Sequence, residues 1–459
     1  MVLGCTSDAG KSLLVTALAR WFSRAGVDVV PFKAQNMSNN ARVVDGGEIG
    51  VAQWLQARAA AAAPALDMNP VLLKPEADTR SQVVVGGRVR HDVGAVPWRE
   101  RGPLLWPAMT DAFDRLRRDH ELVLIEGAGS PAEINLPDLV NNGILARADA
   151  RALLVSDIDR GGAFAHLYGT WALVPDATRE RLGGYVLNRF RGDASLLEPG
   201  PTLLTGRTGL PLAGVLPELA HQLPDEEGGR VRAVAPAGAR VVAIVRGPYS
   251  SNLDEFHLVP HAAHVRWATS PADVHGADLV VLPGSKHVAA DLAWMRERRL
   301  DEAVAARAAA GGRTLGICGG CMLLGEDVND PDGVEGASTG LGLLPIRTVM
   351  EPDKVARAAT VEFPALPHPW TALSGLRVSG YEIRNGRVRG EEGSLSPLLW
   401  GDGAVLATTV HGLLEDPEVL ERLLGVRTGP VLEETFDALA DAVDLHLDAD
   451  LLRRLVTPD

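Results

Sequence analysis

The chain is predicted to be an α/β protein built from two parallel-sheet domains, and three observations predict it. Apolar runs of strand length alternate with alanine- and leucine-rich helical stretches through most of the sequence, as expected when helices cover both faces of a parallel sheet. The 459 residues exceed what one core ordinarily holds. The alternation breaks once, near residues 217–239, where Pro, Gly and charge mix without a sustained period, as at a domain boundary. The expected division is residues 1–225, a linker at 226–239, and residues 240–459.

In the first domain, MVL leads into GCTSDAGKS at 4–12, and SLLVTALARWFSRAG follows with helical spacing. VVPF at 29–32, ELVLIEG at 121–127, RALLVSD at 151–157 and GYVLNRF at 184–190 read as buried strands that end in polar residues. Parallel sheets bind ligands beyond the carboxyl ends of their strands. Glu126, Asp157, Asp159 and Asn188 fall there. The second series begins with RVVAIVRG at 240–247 and continues with ADLVVLPGSKH, RTLGICGGC and GAVLATTVHG. The acidic tail ETFDALADAVDLHLDADLLRRLV reads as a terminal helix or helix pair.

Composition excludes several classes. Hydrophobic content of 46% with 23% charged residues fits a globular protein. No apolar run has the length of a membrane span, and the glycine loop starts too near Met1 to leave room for a signal segment. A cytoplasmic protein is expected. A net charge of −14 argues against non-specific nucleic-acid binding. Three cysteines, Cys5, Cys318 and Cys321, make no disulfide framework. Only five of the 45 basic residues are lysine. Those five positions suggest sites that need a compact ammonium, and Lys11, Lys33, Lys74 and Lys286 fall inside the segments singled out here.

GCTSDAGKS is a phosphate-binding loop one residue longer than G-x-x-x-x-G-K-[ST]. Strand, glycine loop and helix supply backbone N–H groups and a helix N-terminus for phosphate. Gly10 and Lys11 would hold the β- and γ-phosphates, and Ser12 a magnesium ion. Glu126, at a strand end, is a second magnesium candidate. Asp157 and Asp159 at the next strand end complete an expected metal–phosphate cluster.

Gly316-Ile317-Cys318-Gly319-Gly320 fits a nucleophile elbow, in which a strand meets a tight turn and a helix leaves it. The turn exposes the thiol, and the helix N-terminus favours the thiolate. His411 follows a predicted strand of the same sheet and is the expected base for Cys–His catalysis. Gly284, Ser285 and Gly319 are placed to offer backbone N–H groups to an oxyanion. Cys318 and Cys321 also form C-x-x-C, but no second pair exists to complete a zinc site.

These motifs resemble the glutamine-dependent amidotransferases of cobalamin biosynthesis along nearly the whole chain. PFKAQNMSNN, DGGEIGVAQWLQA, IEGAGSPAEINL, SDIDRGGAF, VLNRFRGD, GICGG, SGYEIRNG and VHGLLED carry the resemblance. It implies a first domain similar to dethiobiotin synthetase and a second similar to class I glutaminases. It implies ATP and Mg2+ as cofactors, and corrinoid, glutamine and ATP as small-molecule partners, with no nucleic acid or membrane. The implied reaction amidates the b, d, e and g carboxylates of adenosylcobyrinic acid a,c-diamide through acyl phosphates, with ammonia released from glutamine at Cys318. Carried over by motif, Lys33, Asp45, Glu48 and Asp157 become ATP, metal or substrate candidates. Asn188 is placed to read adenine. Asp138 in PDLVNNG is either a carboxylate near the reacting substrate or a helix N-cap. Two departures stand out: Cys321 and Met322 where the family commonly has an aromatic residue and Gln, and Leu413 where classical triads carry an acid. Alternatives are the synthase acting on the earlier intermediate, favoured less by NPVLLKP and DIDRGGAF, and a regulatory ATPase whose glutaminase-like domain is a binding module.

Overall fold

A computed structural model describes residues 1–77, 80–219, 221, 223–224, 235–427 and 432–457. Most of the expected linker therefore lies outside the described residues. In the first unit the strands stand in the order 29–32, 122–125, 2–4, 152–157, 182–190 and 212–217, all parallel. A bridge from Val2 to Glu126 joins the two halves of this sheet. The strand Val2–Gly4 has three residues but occupies the middle. Its central place puts the glycine loop at the carboxyl edge, between the ends of neighbouring strands.

The second unit holds a seven-stranded sheet in the order 264–268, 241–245, 279–282, 313–317, 405–408, 399–402 and 394–396. The first five strands are parallel and the last two antiparallel. A long antiparallel pair, Arg347–Glu362 with Arg377–Arg389, stands beside it. Among the described residues no helix is long and apolar enough to cross a membrane.

The tail, expected to close the second domain, packs on the first. Helix Leu432–His446 lies against helix Lys11–Arg24, and Phe436, Leu439 and Val443 join the core formed by Leu14, Leu18 and Phe22. Arg20 pairs with Asp437 at 2.8 Å, and the Trp21 indole donates to Asp444 at 2.6 Å. The tail's apolar period shows in the sequence, but its partner does not, because periodicity names a buried face and not what buries it.

The two units meet through the hairpin Ala41–Val44 with Gly47–Gly50, which packs on the long strand pair of the second unit. Arg42 reaches across. Its guanidinium lies 2.6 Å from Asp254 and 2.5 Å from Glu415, and stacks over the Tyr381 ring at 5.1 Å. Asn252 and Leu253 bond back to Ala41 and Asn40. Removing one partner of a buried ion cluster leaves charge unpaired, so Arg42→Ala is expected to cost about 3–5 kcal/mol. Urea unfolding followed by tryptophan fluorescence checks this as a lowered midpoint.

Candidate active sites

The first site lies at the carboxyl edge of the first sheet. Gly10, at φ 97°, ends the loop, and a Cβ there would stand 1.9 Å from the Asn188 amide nitrogen. Only glycine tolerates both constraints. Asn188 donates to the Ala9 carbonyl at 3.0 Å, and its buried Oδ1 has no partner among the described residues. The Lys11 ammonium folds back onto the carbonyls of Thr6 at 3.2 Å and Gly129 at 3.1 Å. Ser12 donates to Glu126 at 2.8 Å, Lys33 pairs with the same carboxylate at 2.8 Å, and Gln56 donates to its other oxygen at 2.5 Å. Burial alone would raise the Glu126 carboxyl, but Lys33, Gln56 and Ser12 outweigh it and hold it below its ordinary range.

Gly10, Lys11, Ser12, Lys33, Glu126 and Asn188 thus gather on one cleft of about 790 Å³. Its far wall, including Leu253, Phe256, His257 and Trp267, comes from the second unit. The expected cluster of three strand-end acids does not form. Asp157 is buried between Arg189 at 2.8 Å and Arg160 at 3.2 Å, while Asp159 faces outward near Arg191. Arg160 also pairs with Asp8 of the loop at 2.9 Å, so Asp157 anchors the loop rather than standing with Glu126. Among the described residues no group of three or more metal-ligating side chains assembles.

Three other candidates stand apart. Asp45, at φ 49°, and Gly46, at φ 72°, form the two-residue turn of the hairpin, where Asp-Gly suits the required left-handed backbone. Glu48 is buried between Lys74 and Lys354, the latter at 2.5 Å. Burial would raise its carboxyl, but Lys354, Lys74 and Lys286 outweigh that and hold it far below the usual range. Asp138 is the N-cap of Leu139–Gly143 and accepts from the Asn141 N–H at 2.8 Å. Asn141 in turn holds Ala128 by two bonds, at 2.9 and 2.8 Å, and Ala128 lines the cleft. Asp138 therefore shapes the cleft wall from behind.

The second site is a strand–turn–helix. Arg313–Ile317 enters the sheet, Cys318 turns with φ 52° and ψ −105°, and helix Gly319–Leu324 leaves. A non-glycine residue at positive φ is strained, and such strain concentrates at functional turns. The glycines around it permit the turn. A Cβ on Gly320 would stand 1.8 Å from the Leu282 carbonyl, and one on Gly319 2.4 Å from the Ser285 nitrogen. The Ser285 hydroxyl is committed to Asp291 at 2.6 Å, so its backbone N–H is the group that faces the elbow. Gly284 sits flush against the imidazole: a Cβ there would come 2.9 Å from His411 Cε1.

His411 is buried, with its Nδ1 3.0 Å from Glu255 Oε1, and the other Glu255 oxygen accepts from the Gly412 N–H at 2.9 Å. The imidazole stacks on Tyr381 with centroids 5.3 Å apart. Glu255 is the acid absent from the position after His411. It comes from the short helix Leu253–Phe256, far away in sequence. The only hint was an acidic pair within the apolar stretch NLDEF. Burial pushes the imidazolium down, yet a thiolate at Cys318 and the Glu255 carboxylate outweigh it and raise His411 to about 10. His411 is therefore expected to stay protonated through neutral pH in a histidine-selective NMR titration; loss of its proton near pH 6.5 would contradict the ion-pair geometry. Because the folded value lies above the unfolded one, the pair's stabilisation is complete below pH 6.5 and is lost as pH rises through about 10.

All three cysteines are free and buried. Cys321 and Met322 lie in the apolar core on the far side of the elbow helix, with Leu323, Val328 and Ile346. Cys321 is thus a packing residue, and burial raises its thiol further.

Comparison with known proteins matches each unit to a family. Residues 1–226 match the CobQ/CobB/MinD/ParA nucleotide binding domain, and residues 241–419 match the CobB/CobQ-like glutamine amidotransferase domain. The chain is 52% identical to a cobyric acid synthase of Variovorax paradoxus (strain S110), covering 99% of this chain and 98% of the relative. It is also 52% identical to the cobyric acid synthase of Methylibium petroleiphilum, covering 99% and 96%. A third, from Leptothrix cholodnii, is 50% identical over the whole of this chain and 97% of the relative. With a nucleotide cleft and a Cys–His–Glu elbow joined in one chain, and relatives of that identity along its full length, this protein belongs to the cobyric acid synthase family of glutamine-hydrolysing amidotransferases.

Proposed function

We propose that this chain amidates the b, d, e and g carboxylates of adenosylcobyrinic acid a,c-diamide, each through an acyl phosphate, with ammonia released at Cys318. The observation that carries the reading is the pairing of two complete chemistries across one seam. Cys318 attacks the glutamine carboxamide, while His411, held by Glu255, gives its proton to the leaving ammonia. Water then releases glutamate from the thioester, with His411 taking the proton back. The N–H groups of Ser285 and Gly319 are the proposed donors to the oxyanion.

In the other site a corrinoid carboxylate takes the γ-phosphoryl group of ATP, which turns a poor electrophile into one with a leaving group. Lys11, freed from the Thr6 and Gly129 carbonyls, and Lys33 would balance charge on the transferring group. Asn188 offers a carbonyl oxygen, without a partner among the described residues, that suits the adenine amino group. The donor set at Ser12 and Glu126 fits magnesium, since a hydroxyl beside a carboxylate supplies hard oxygens and phosphate and water complete such sites. Magnesium there would neutralise phosphate charge. Asp138 and Asp157 act as positioning residues for the cleft wall and the loop.

The test is incubation of the full chain with ATP, magnesium, glutamine and the a,c-diamide, following product mass. Four successive conversions of carboxyl to amide are expected. Lys11→Ala should stop conversion with glutamine or ammonium chloride while glutamine hydrolysis continues. No conversion by folded wild-type protein with either nitrogen source would overturn the proposed substrate.

A further inference from the structure

Strand Gly284–Ser285 pairs antiparallel with Ser250–Ser251, and the two make a short ribbon beside the elbow. The Lys286 N–H donates to the Tyr249 carbonyl at 2.8 Å, across that ribbon. Successive N–H groups of a strand point to opposite edges. The Ser285 N–H is therefore turned away from the ribbon, and a Cβ on Gly319 would stand 2.4 Å from its nitrogen. The paired residues are three serines and a glycine, so no apolar side chain of the ribbon fixes where that N–H points. Polar contacts have to do so.

Asp291, on helix Val288–Glu297, supplies them. One of its carboxylate oxygens accepts from the Ser285 hydroxyl at 2.6 Å, and the other accepts from the Tyr249 N–H at 3.1 Å. A single side chain thus grips the ribbon at Ser285 on one strand and at Tyr249, just before the other. The Ser285 oxygen in turn accepts from the His287 N–H at 3.1 Å, so the hydroxyl is held from two sides. Gly247 makes room for this approach: a Cβ there would come 2.5 Å from Asp291 Oδ1.

An acid is a costly choice at this place. Asp291 is 4% exposed, and among the described residues no cation pairs with it. Burial pushes its carboxyl up to about 6, against the pull of the Ser285 hydroxyl and the Tyr249 N–H. A buried carboxylate without a cation weakens a fold. Asparagine has the same shape and costs less, but an amide has one oxygen, and its NH2 would face the second donor. Only a carboxylate takes both bonds.

We propose that Asp291 is a positioning residue for glutamine hydrolysis: through the Ser285 hydroxyl it aims the Ser285 N–H at the carbonyl oxygen that turns negative when Cys318 attacks. Donors already aimed at a developing charge need no rearrangement as it forms, and that is how they lower the barrier. Asp291 itself touches neither glutamine nor the thiol. The inference rests on the proposed function, which makes the Ser285 N–H an oxyanion donor.

The test measures glutamate release from glutamine by the full chain and by Asp291→Asn. The kcat is expected to fall about tenfold to a hundredfold, with KM for glutamine nearly unchanged. The γ-aldehyde analogue of glutamine takes the Cys318 thiolate at its carbonyl carbon, and the carbonyl electron pair moves onto oxygen, so the adduct carries the same negative oxygen. Its inhibition constant should rise by the factor that kcat loses. Alkylation of Cys318 by iodoacetamide displaces iodide and makes no oxyanion, so its rate, followed by peptide mass, should persist; a merely structural defect would lower it too. Ser285→Ala, which removes only the hydroxyl, should match Asp291→Asn, and the double variant should be no slower than either. The proposal is overturned by wild-type kcat in either single variant, by losses that multiply in the double variant, by alkylation that slows in step with kcat, or by unchanged aldehyde inhibition. Glutamine left intact by wild-type protein would instead mark failure of the proposed function.

Discussion

Replacing Cys318 with serine is expected to lower glutamine-dependent amidation by about a thousandfold or more, on the scale seen when other hydrolases lose their nucleophile. Amidation from ammonium chloride should continue near the wild-type rate. The split follows from the architecture. Cys318 sits on its own strained turn in the second sheet, and none of the residues around Glu126 depends on it. The change replaces sulfur by oxygen at φ 52° without altering the backbone demand, so the fold is kept. Parallel assays of glutamate release and amide formation check the outcome. Loss of both activities would mean that the thiol also supports the ligase cleft.

Glu255→Gln is expected to reduce glutamine hydrolysis by roughly 10²–10⁴-fold, because an amide in place of the orienting acid favours the wrong imidazole tautomer. Burial of His411 would then be opposed by the Cys318 thiolate alone, so its proton affinity falls. The alkaline limb of the hydrolysis profile should accordingly move to lower pH. Glu255→Asp, which keeps the charge but shortens the reach, should recover part of the rate. A full pH–rate profile of the three proteins distinguishes this from a packing defect, which would lower the rate without moving the limb. Ammonium-supported amidation should be unaffected in each.

Much of this arrangement is legible in the sequence where chemistry and backbone geometry coincide locally. Gly10-Lys11-Ser12 needs a positive-φ glycine before a helix, and Gly316-Ile317-Cys318-Gly319-Gly320 needs room on both sides of a strained turn; each motif is also its own fold element. The strand-end rule brought Glu126 to Ser12 and Asn188 to Gly10, because neighbouring parallel strands end at one edge. Asp157 also ends a strand, but it pairs with Arg160 of the following turn and with Arg189 near the end of the neighbouring strand Leu182–Phe190. Asp45 and Asp138 also meet local backbone demands. A two-residue turn and an N-cap select the same residue type that catalysis does.

What the sequence hides is whatever the two units build together. Glu255 lies 156 positions from His411, and the helix Leu253–Phe256 that carries it packs in the core of the second unit while also bonding Asn40 and Arg42 of the other unit. The Glu48 cluster draws on four segments. Lysine scarcity marked its members as special, but only the seam brings them together. The tail gives the same lesson, since its apolar face is plain in ETFDALADAV while its partner helix begins at Lys11.

The most direct measurement follows oxygen. An a,c-diamide substrate with 18O in its free carboxylates is converted with ATP and glutamine, and the inorganic phosphate is analysed by mass. If each carboxylate takes the γ-phosphoryl group and phosphate then leaves as ammonia attacks, one 18O enters phosphate for every amide formed. Unlabelled phosphate beside normal amide formation would contradict activation by an acyl phosphate in the cleft of Lys11, Ser12 and Glu126.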